Sequence, residues 1–496
     1  MIALLPLDDR PCNTRFPQEI AAIGGDSLCH PSRDTLGRFN TPADILPLQE
    51  WLENLPAVSA LIVSVDMLAY GGLVASRKTR TSFETAAARL QILEAWHRAR
   101  PETPIYAFNV LMRLAITMDS DAAVPHYYNV MKYARLKDEA ARDPQKMKEL
   151  REVTAQIPPE ILAQDHEARA RNHAINLTMI DYAARGTFDY LLITQEDCTE
   201  FGLHRSEQAE ILARVETLGV QSKFALHPGA DEAALTLLAR HWNREISFQV
   251  HWSDEAHKRD IAVFEDMPYE DALGSHIAAM GGHLSAQNGD FELFVNAPVG
   301  GSQKDETETE KTVREANLIA FCDAIELAVA QQKRVALCDV AFPNGADELL
   351  LSLLKKRGIL GQLAVFGGWN TAGNTTGTVL AQCAALFRAA SIGATSTETG
   401  QSASQKLNRQ FVFERLVDDW GYQARVRAEL ERVARARGFS PLSMNGQARG
   451  IEEIARVQLG DFAREIAPQF GAKLEKLEVR LPWSRTFEVE VGARLS

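Results

Sequence analysis

With 496 residues, 46% of them hydrophobic and 24% charged, the chain has an ordinary globular composition and enough length for two cores. Its formal charge of −13 argues against nucleic acid or an anionic membrane as the main partner. The six cysteines (Cys12, Cys29, Cys198, Cys322, Cys338 and Cys383) are scattered without a CxxC pair, which points to reduced, packed thiols in place of disulfides or zinc.

The chain begins MIALLPLDDRP, where a short apolar run at 2–5 reads as a buried strand that stops at Asp8, Asp9 and Arg10. Two aspartates by position 9 do not fit the apolar core of a signal peptide. No apolar run reaches the roughly 18–20 residues that span a bilayer, so a cytoplasmic protein with no membrane partner is expected. A second strand at 61–65 leads into Asp66, Tyr70-Gly71-Gly72 and Arg77. Thr81 and Glu84 form a capping-box pattern that opens a helix, closed by Pro101. A third strand at 105–108 ends in Asn109 and Arg113. Residues 122–186 are rich in Ala, Glu, Lys and Arg at helical spacing, too long for an ordinary crossover, and read as a helical insertion.

The pattern then repeats. Strands are expected at 190–194, before Glu196 and Asp197; at 223–226, before His227 and Asp231; and at 246–250. Others are expected at 291–295, before Asn296; at 334–337, before Asp339 and Asn344; and at 362–366, before Trp369, Asn370 and Asn374. An acidic, solvated loop is expected at 304–311. From 396 the texture changes to a Ser/Thr/Gly-rich link and then helices, ending in an alternating stretch at 473–491 that reads as a hairpin. The expected plan is an α/β domain at 1–395, a linker at 396–404, and a helical appendage at 405–496 ending in a β-hairpin.

Strands alternating with helices imply a mostly parallel sheet. A (β/α)8-barrel-like fold with the insertion fits, as do two doubly wound α/β halves split near residue 245. Both architectures bind ligands at the carboxyl ends of the strands, where this chain concentrates its polar residues. One internal repeat occurs: Gly229-Ala230-Asp231-Glu232 returns as Gly345-Ala346-Asp347-Glu348, each after a strand and before leucines at helical spacing. Helix capping and catalysis explain these two aspartates equally well.

Several familiar strings are coincidental. Gly25-Asp26-Ser27-Leu28 follows a helix-like segment where a nucleophile turn needs a strand, and Asp254-Glu255-Ala256-His257 has no phosphate loop to accompany it. His166-Glu167 lacks the second histidine of a zinc-protease motif, and no GxGxxG follows a strand. The strand-end carboxylates, amides and arginines remain. A strand-end aspartate taken singly is more often a cap or an ion-pair partner. Taken together they suit glycoside hydrolysis, which needs one protonated and one ionised carboxyl group, amides for hydroxyls and an aromatic for a ring face. They also suit an oxygen-ligand site for a divalent metal, with arginines holding an anionic substrate.

Four motifs, PLDDRP, DMLAYGGLVASR, GADE and GGWNTAGNTTGT, occur here in an order that resembles the bacterial family called domain of unknown function 4127, over most of the chain to about 395. The resemblance implies no activity. It supports reading Asp8, Asp9, Arg10, Asp66, Gly71, Gly72, Arg77, Trp369, Asn370 and Asn374 as one site.

The expected function is a hydrolase acting on a glycan fragment or a polyhydroxylated small molecule. Asp8, Asp9, Glu196 and Asp197 are its expected catalytic residues. Arg10, Asp66, Tyr70, Gly71, Gly72, Arg77, Asn109, Arg113, His227, Asp231, Asn296, Asp339, Asn344, Trp369, Asn370 and Asn374 are expected to bind substrate. No cofactor is expected, and a divalent metal enters only with the alternative of a metal-dependent enzyme on an anionic substrate. A non-catalytic sugar-binding or sensing protein is the third reading. None of the three implies an oligomeric state.

Overall fold

The computed structural model describes residues 1–242, 245–299, 307–393, 396–397 and 400–496. Eleven strands form two sheets. The first contains β1 (Ile2–Leu5), β2 (Leu28–Cys29), β3 (Ala60–Ser64), β4 (Ile105–Leu111), β5 (Tyr190–Gln195) and β6 (Phe224–Pro228). The second contains β7 (Ser247–Trp252), β8 (His283–Leu284), β9 (Phe291–Asn296), β10 (Val335–Asp339) and β11 (Val365–Gly367). Every pairing within the two sheets is parallel.

The orders are β2-β1-β3-β4-β5-β6 and β8-β7-β9-β10-β11. Each begins with the flavodoxin-like arrangement in which the second strand lies outside the first. The direction of winding therefore reverses between β1 and β3, and again between β7 and β9, and a ligand crevice opens at the carboxyl ends beside such a reversal. This is the expected pair of doubly wound halves, with the change of sheet falling on either side of residue 245. The pairing that would close the strands into a barrel is not found among the described residues.

All nine strands expected from the sequence are present. The two additional ones, β2 and β8, are two-residue edge strands in equivalent positions of the two sheets. The chain divides into two compact units. One comprises Met1–Gln18, Asp26–His241 and Phe264–Asp266, and the other Glu19–Gly25, Trp242–Val263 and Met267–Ser496.

In the first unit Ala3, Leu5, Leu61, Val63, Ile105, Ala107, Leu191 and Ile193 pack against Leu48, Leu52, Leu90, Leu93, Ile175, Met179 and Ile211 from the covering helices. Strands buried on both faces read as unbroken apolar runs, which is why they were visible in the sequence. The helix Phe83–Ala99 opens at Ser82, whose hydroxyl accepts from the Thr85 backbone N–H, one residue beyond the expected Thr81. The insertion forms Val124–Arg142, Met147–Thr154 and Pro159–Ala184, with a small core of Val130, Tyr133, Leu136, Val153 and Ile157.

In the second unit the C-terminal helices share one core with the sheet. Phe294, Val335, Leu337 and Phe366 cluster with Val412, Phe413, Trp420, Leu459 and Val491. The helix Ala403–Arg415 continues into a wide-turned π-helical stretch, Leu416–Val426. The final hairpin pairs Leu474–Arg480 with Glu490–Leu495. Of the expected loop 304–311, residues 304–306 lie outside the described residues; Thr307 onwards is a capping box opening the helix Glu308–Ala330. Of the expected linker 396–404, residues 398–399 lie outside them, and Ala403 already begins a helix. Among the described residues no helix is long and apolar enough to cross a membrane.

Candidate functional site

The carboxyl edge of the first sheet carries a buried network of charge. Beside the winding reversal β1 leads into Asp8 and Arg10, and the turn after β6, the far edge strand, brings Asp231 to Arg10. The Arg10 guanidinium lies between them, donating from Nε to Asp8 Oδ1 and Oδ2 at 3.1 and 3.0 Å and from Nη2 to Asp8 Oδ2 at 2.7 Å. On its other side Nη1 and Nη2 donate to Asp231 Oδ2 and Oδ1 at 3.0 and 2.5 Å. Asn13 Nδ2 adds a bond to Asp8 Oδ1 at 2.8 Å. Bidentate pairing on both edges commits the donors of Arg10 to the protein itself, so this arginine fixes the turn after β1.

Asp9, its neighbour, turns elsewhere. Its backbone N–H donates to Gly37 O, its carbonyl accepts from Arg33 Nε at 2.9 Å, and its carboxylate lies 3.9 Å from Arg38 Nε. The Asp8-Asp9 pair thus splits, with Asp8 in the charge network and Asp9 on the 33–38 loop.

Two further ion pairs continue the network. Arg77 pairs with Glu196, and its Nη1 donates to Thr117 Oγ1 at 3.1 Å. Arg113 pairs with Asp197, lies 3.9 Å from Glu196 Oε1, and donates to the Tyr127 hydroxyl at 3.2 Å. Glu196 Oε1 takes the Arg77 contact, whereas the buried Oε2 has no hydrogen-bond partner among the described residues.

On the other side of the reversal, Asp66 follows β3 in the first turn of the helix Val65–Tyr70, capped by the Ser64 hydroxyl. The Val110 N–H donates to Asp66 Oδ2 at 2.9 Å. Burial, reinforced by the charge of Glu196, nevertheless lifts the Asp66 carboxyl to about 7. Asp231 is also raised, first by burial and against the pull of Arg10. Glu232, fully buried, is raised by burial to about 8, and burial lowers His227 to about 4, with its Nδ1 2.8 Å from Pro228 O. The edge therefore holds Asp8, Asp66, Glu196, Asp197 and Asp231 around the guanidinium groups of Arg10, Arg77 and Arg113, with Arg171 also acting on Asp66.

Other expected residues of this unit have backbone or packing duties. Gly71 ends the Val65–Tyr70 helix at φ 91° with its carbonyl accepting from Ala43 N–H, and a Cβ there would meet Ala43 N at 2.8 Å. Gly72 continues the turn at φ 125°. The Tyr70 ring is buried beneath the Arg171 guanidinium, 4.4 Å from its centroid. Asn109 Nδ2 donates to Asn176 Oδ1 at 2.5 Å.

Sequence reasoning missed the supports that come from the insertion. On the helix Pro159–Ala184, Arg169 holds Glu207 at 2.8 Å and the Met112 carbonyl at 3.0 Å, beside Arg113. Arg171 donates to the Lys78 and Thr81 carbonyls at 2.7 and 2.9 Å, and Asn172 to the Ser76 carbonyl at 3.0 Å, on either side of Arg77. A signal was present: Asp165, Arg169, Asn172 and Asn176 recur at i, i+4, i+7 and i+11, which puts a polar stripe on one buried face.

The remaining expected residues belong to the second unit and are described there on their own. Asn296 Nδ2 donates to Asp339 Oδ1 at 2.9 Å and to Asp347 Oδ2 at 3.2 Å. Asp339 Oδ2 accepts from the Asp347 N–H at 2.6 Å, and burial followed by the Asp347 charge raises Asp339. Asp347 caps the helix Glu348–Lys356 through the Leu349 N–H at 2.9 Å and pairs with Arg314 at 2.5 Å. Asn344 and Asn370 both have positive φ, 60° and 54°, a conformation asparagine tolerates, and the Asn344 N–H donates to Asn370 O. Trp369 is half-buried, its Nε1 donating to Thr378 Oγ1 at 3.3 Å, and Asn374 is buried in the helix Ala372–Ser391. Asp419, from the π-helical stretch, accepts from the Gly368 N–H at 2.9 Å and pairs with Arg415, so the C-terminal helices brace the Gly-Gly-Trp-Asn turn.

No curated protein and no solved structure matches the chain. A family model does match, over residues 2–492, far beyond the stretch the motifs covered. The chain belongs to the family described as protein of unknown function (DUF4127).

Proposed function

We propose that the protein is a hydrolase of polyhydroxylated small molecules or glycan fragments, with Glu196 as the ionised base or nucleophile and Asp66 as the proton-bearing acid. One observation carries this reading: Glu196 leaves one buried carboxylate oxygen without a hydrogen-bond partner among the described residues, and its charge acts on an Asp66 carboxyl that burial raises to about 7. A carboxyl group raised towards neutrality with a second carboxyl group in its field suits acid–base hydrolysis. Asp8 and Asp197, both expected as catalytic, act in this reading through Arg10 and Arg113, which they orient. Asp9 has no part in the chemistry.

The test is reducing-end release from a panel of oligosaccharides and glycosides across pH. Turnover should fall on the alkaline side with an apparent pKa near 7, and Asp66→Asn should remove that limb. A purified protein that turns over no member of the panel, or whose Asp66→Asn variant keeps the wild-type pH profile, contradicts the assignment. The excess of carboxylates over guanidinium groups also favours a second reading, a divalent cation acting on an anionic substrate. Under it, turnover depends on added Mg²⁺, an ion of oxygen-ligand sites, whereas the acid–base reading predicts no response to Mg²⁺.

A further inference from the structure

Behind the turn that carries Glu196 and Asp197 lies a second cluster, which the proposed chemistry does not use. Cys198 is the next residue of that turn, His204 opens the helix His204–Leu218, and Asp266 comes from the segment Phe264–Asp266, which belongs to the same unit. A sulfur, a ring nitrogen and a carboxylate oxygen from these three lie within 4.8 Å of one another, and His204 Nε2 is 3.2 Å from Asp266 Oδ2. None of the three side chains reaches solvent to any useful extent: His204 is 0% exposed and the other two 1%.

The cluster is not internally satisfied. Among the described residues His204 Nδ1 has no hydrogen-bond partner and Nε2 faces only Asp266 Oδ2, while Asp266 Oδ1 has none, because Gln208 Nε2 and Arg205 Nη1 also bond to Oδ2, at 2.8 and 3.2 Å. Buried polar atoms in native proteins nearly always have a partner, so such orphans call for one. Burial holds the Cys198 thiol protonated, and Asp266, Glu265 and Asp197 add a negative field that a cation would relieve.

We propose that Cys198, His204 and Asp266 bind one transition-metal ion of the zinc class. Mixed sulfur, imidazole and carboxylate ligands suit a borderline-soft tetrahedral ion and do not suit Mg²⁺ or Ca²⁺. Gln208 and Arg205 are outer-shell partners that orient the carboxylate. On binding, the Cys198 S–H bond breaks and a metal–sulfur bond forms, with the proton released to solvent; no electron is transferred. The ion would tie the end of β5, the start of a helix and the 264–266 segment together, and so hold the Glu196-Asp197 turn. The alternative, a Cys-His-Asp nucleophile, needs an accessible thiol of lowered pKa, and this one is buried and raised.

Cobalt(II) titration of the full-length protein after dialysis against a chelator tests the site. One equivalent should bind, with a thiolate-to-cobalt charge-transfer band and a rise in Tm. Cys198→Ser should lose the band, His204→Gln should weaken binding by at least about tenfold, and Cys29→Ser should behave as wild type. Wild-type protein that shows no charge-transfer band, or a band that survives Cys198→Ser, overturns the proposal. Since the wild-type titration is decisive alone, a variant that fails to fold leaves the test intact, and neither result depends on hydrolase activity.

Discussion

Asp231 in the first unit and Asp347 in the second stand in the same four-residue sequence, Gly-Ala-Asp-Glu, and each follows a parallel strand into a helix. Asp347 caps the helix it precedes and pairs with Arg314. Asp231 meets Arg10, which lies 221 positions away and is shared with Asp8. The two copies also occupy different strands in the shared topology, the sixth of one sheet and the fourth of the other. The same local sequence therefore meets different charged partners, which the rest of the fold supplies. Around the second sheet the acidic groups Asp339, Asp347 and Asp419 are engaged by a cap, turn N–H groups, Arg314 and Arg415. Around the first they outnumber the guanidinium groups and leave Glu196 half-satisfied.

The largest effect that separates the two units is on stability. Arg10→Met should destabilise the protein by about 3–5 kcal/mol near neutral pH, because two buried carboxylates lose their common partner. The loss should shrink as pH falls and the carboxyls protonate, read by denaturant unfolding at several pH values. Asp347→Ala loses a cap, about 0.5–2 kcal/mol, and the one ion pair to Arg314, and should cost less than removing an arginine shared by two buried carboxylates. If the two substitutions cost the same, the distinction between ion-pair hub and helix cap fails.

Gly71→Ala comes next, at about 1–3 kcal/mol, since φ 91° strains any side chain and the new Cβ meets Ala43 and Pro42. A further effect is a pH trend. Asp66 is raised in the folded state, so between about 4 and about 7 the unfolded chain gives up a proton that the native chain keeps. Wild-type stability should therefore decline with rising pH across that window relative to Asp66→Asn. A flat difference between the two curves would remove Asp66 as the protonated member of the pair.

Much of this was legible beforehand. Seven of the nine strands are buried along nearly their whole length and so read as apolar runs, β6 and β7 being only partly buried, and the polar residues at the strand ends marked the edge where a ligand crevice forms. The strands β2 and β8 were not visible, because two residues carry no periodicity. The adjacent pair Asp8-Asp9 looked equivalent in sequence and is not, since Arg10 and Asp231 claim one while the 33–38 loop claims the other. Arg169, Arg171 and Asn172 were read as a generic charged insertion; the positions they brace, 76–81 and 112–113, come from distant sequence. The C-terminal segment read as an appendage because nothing local reveals that Asp419 holds the Gly368 N–H. Cys198 read as one more packed thiol, and only folding brings His204 and Asp266 beside it.

The most direct test of the account compares Glu196→Gln with Asp347→Asn in one hydrolysis assay on an oligosaccharide that the wild type turns over. The account predicts a loss of about 10²–10⁴ in kcat for Glu196→Gln, with turnover retained by Asp347→Asn. Retained turnover in Glu196→Gln, or equal loss in both variants, would contradict it.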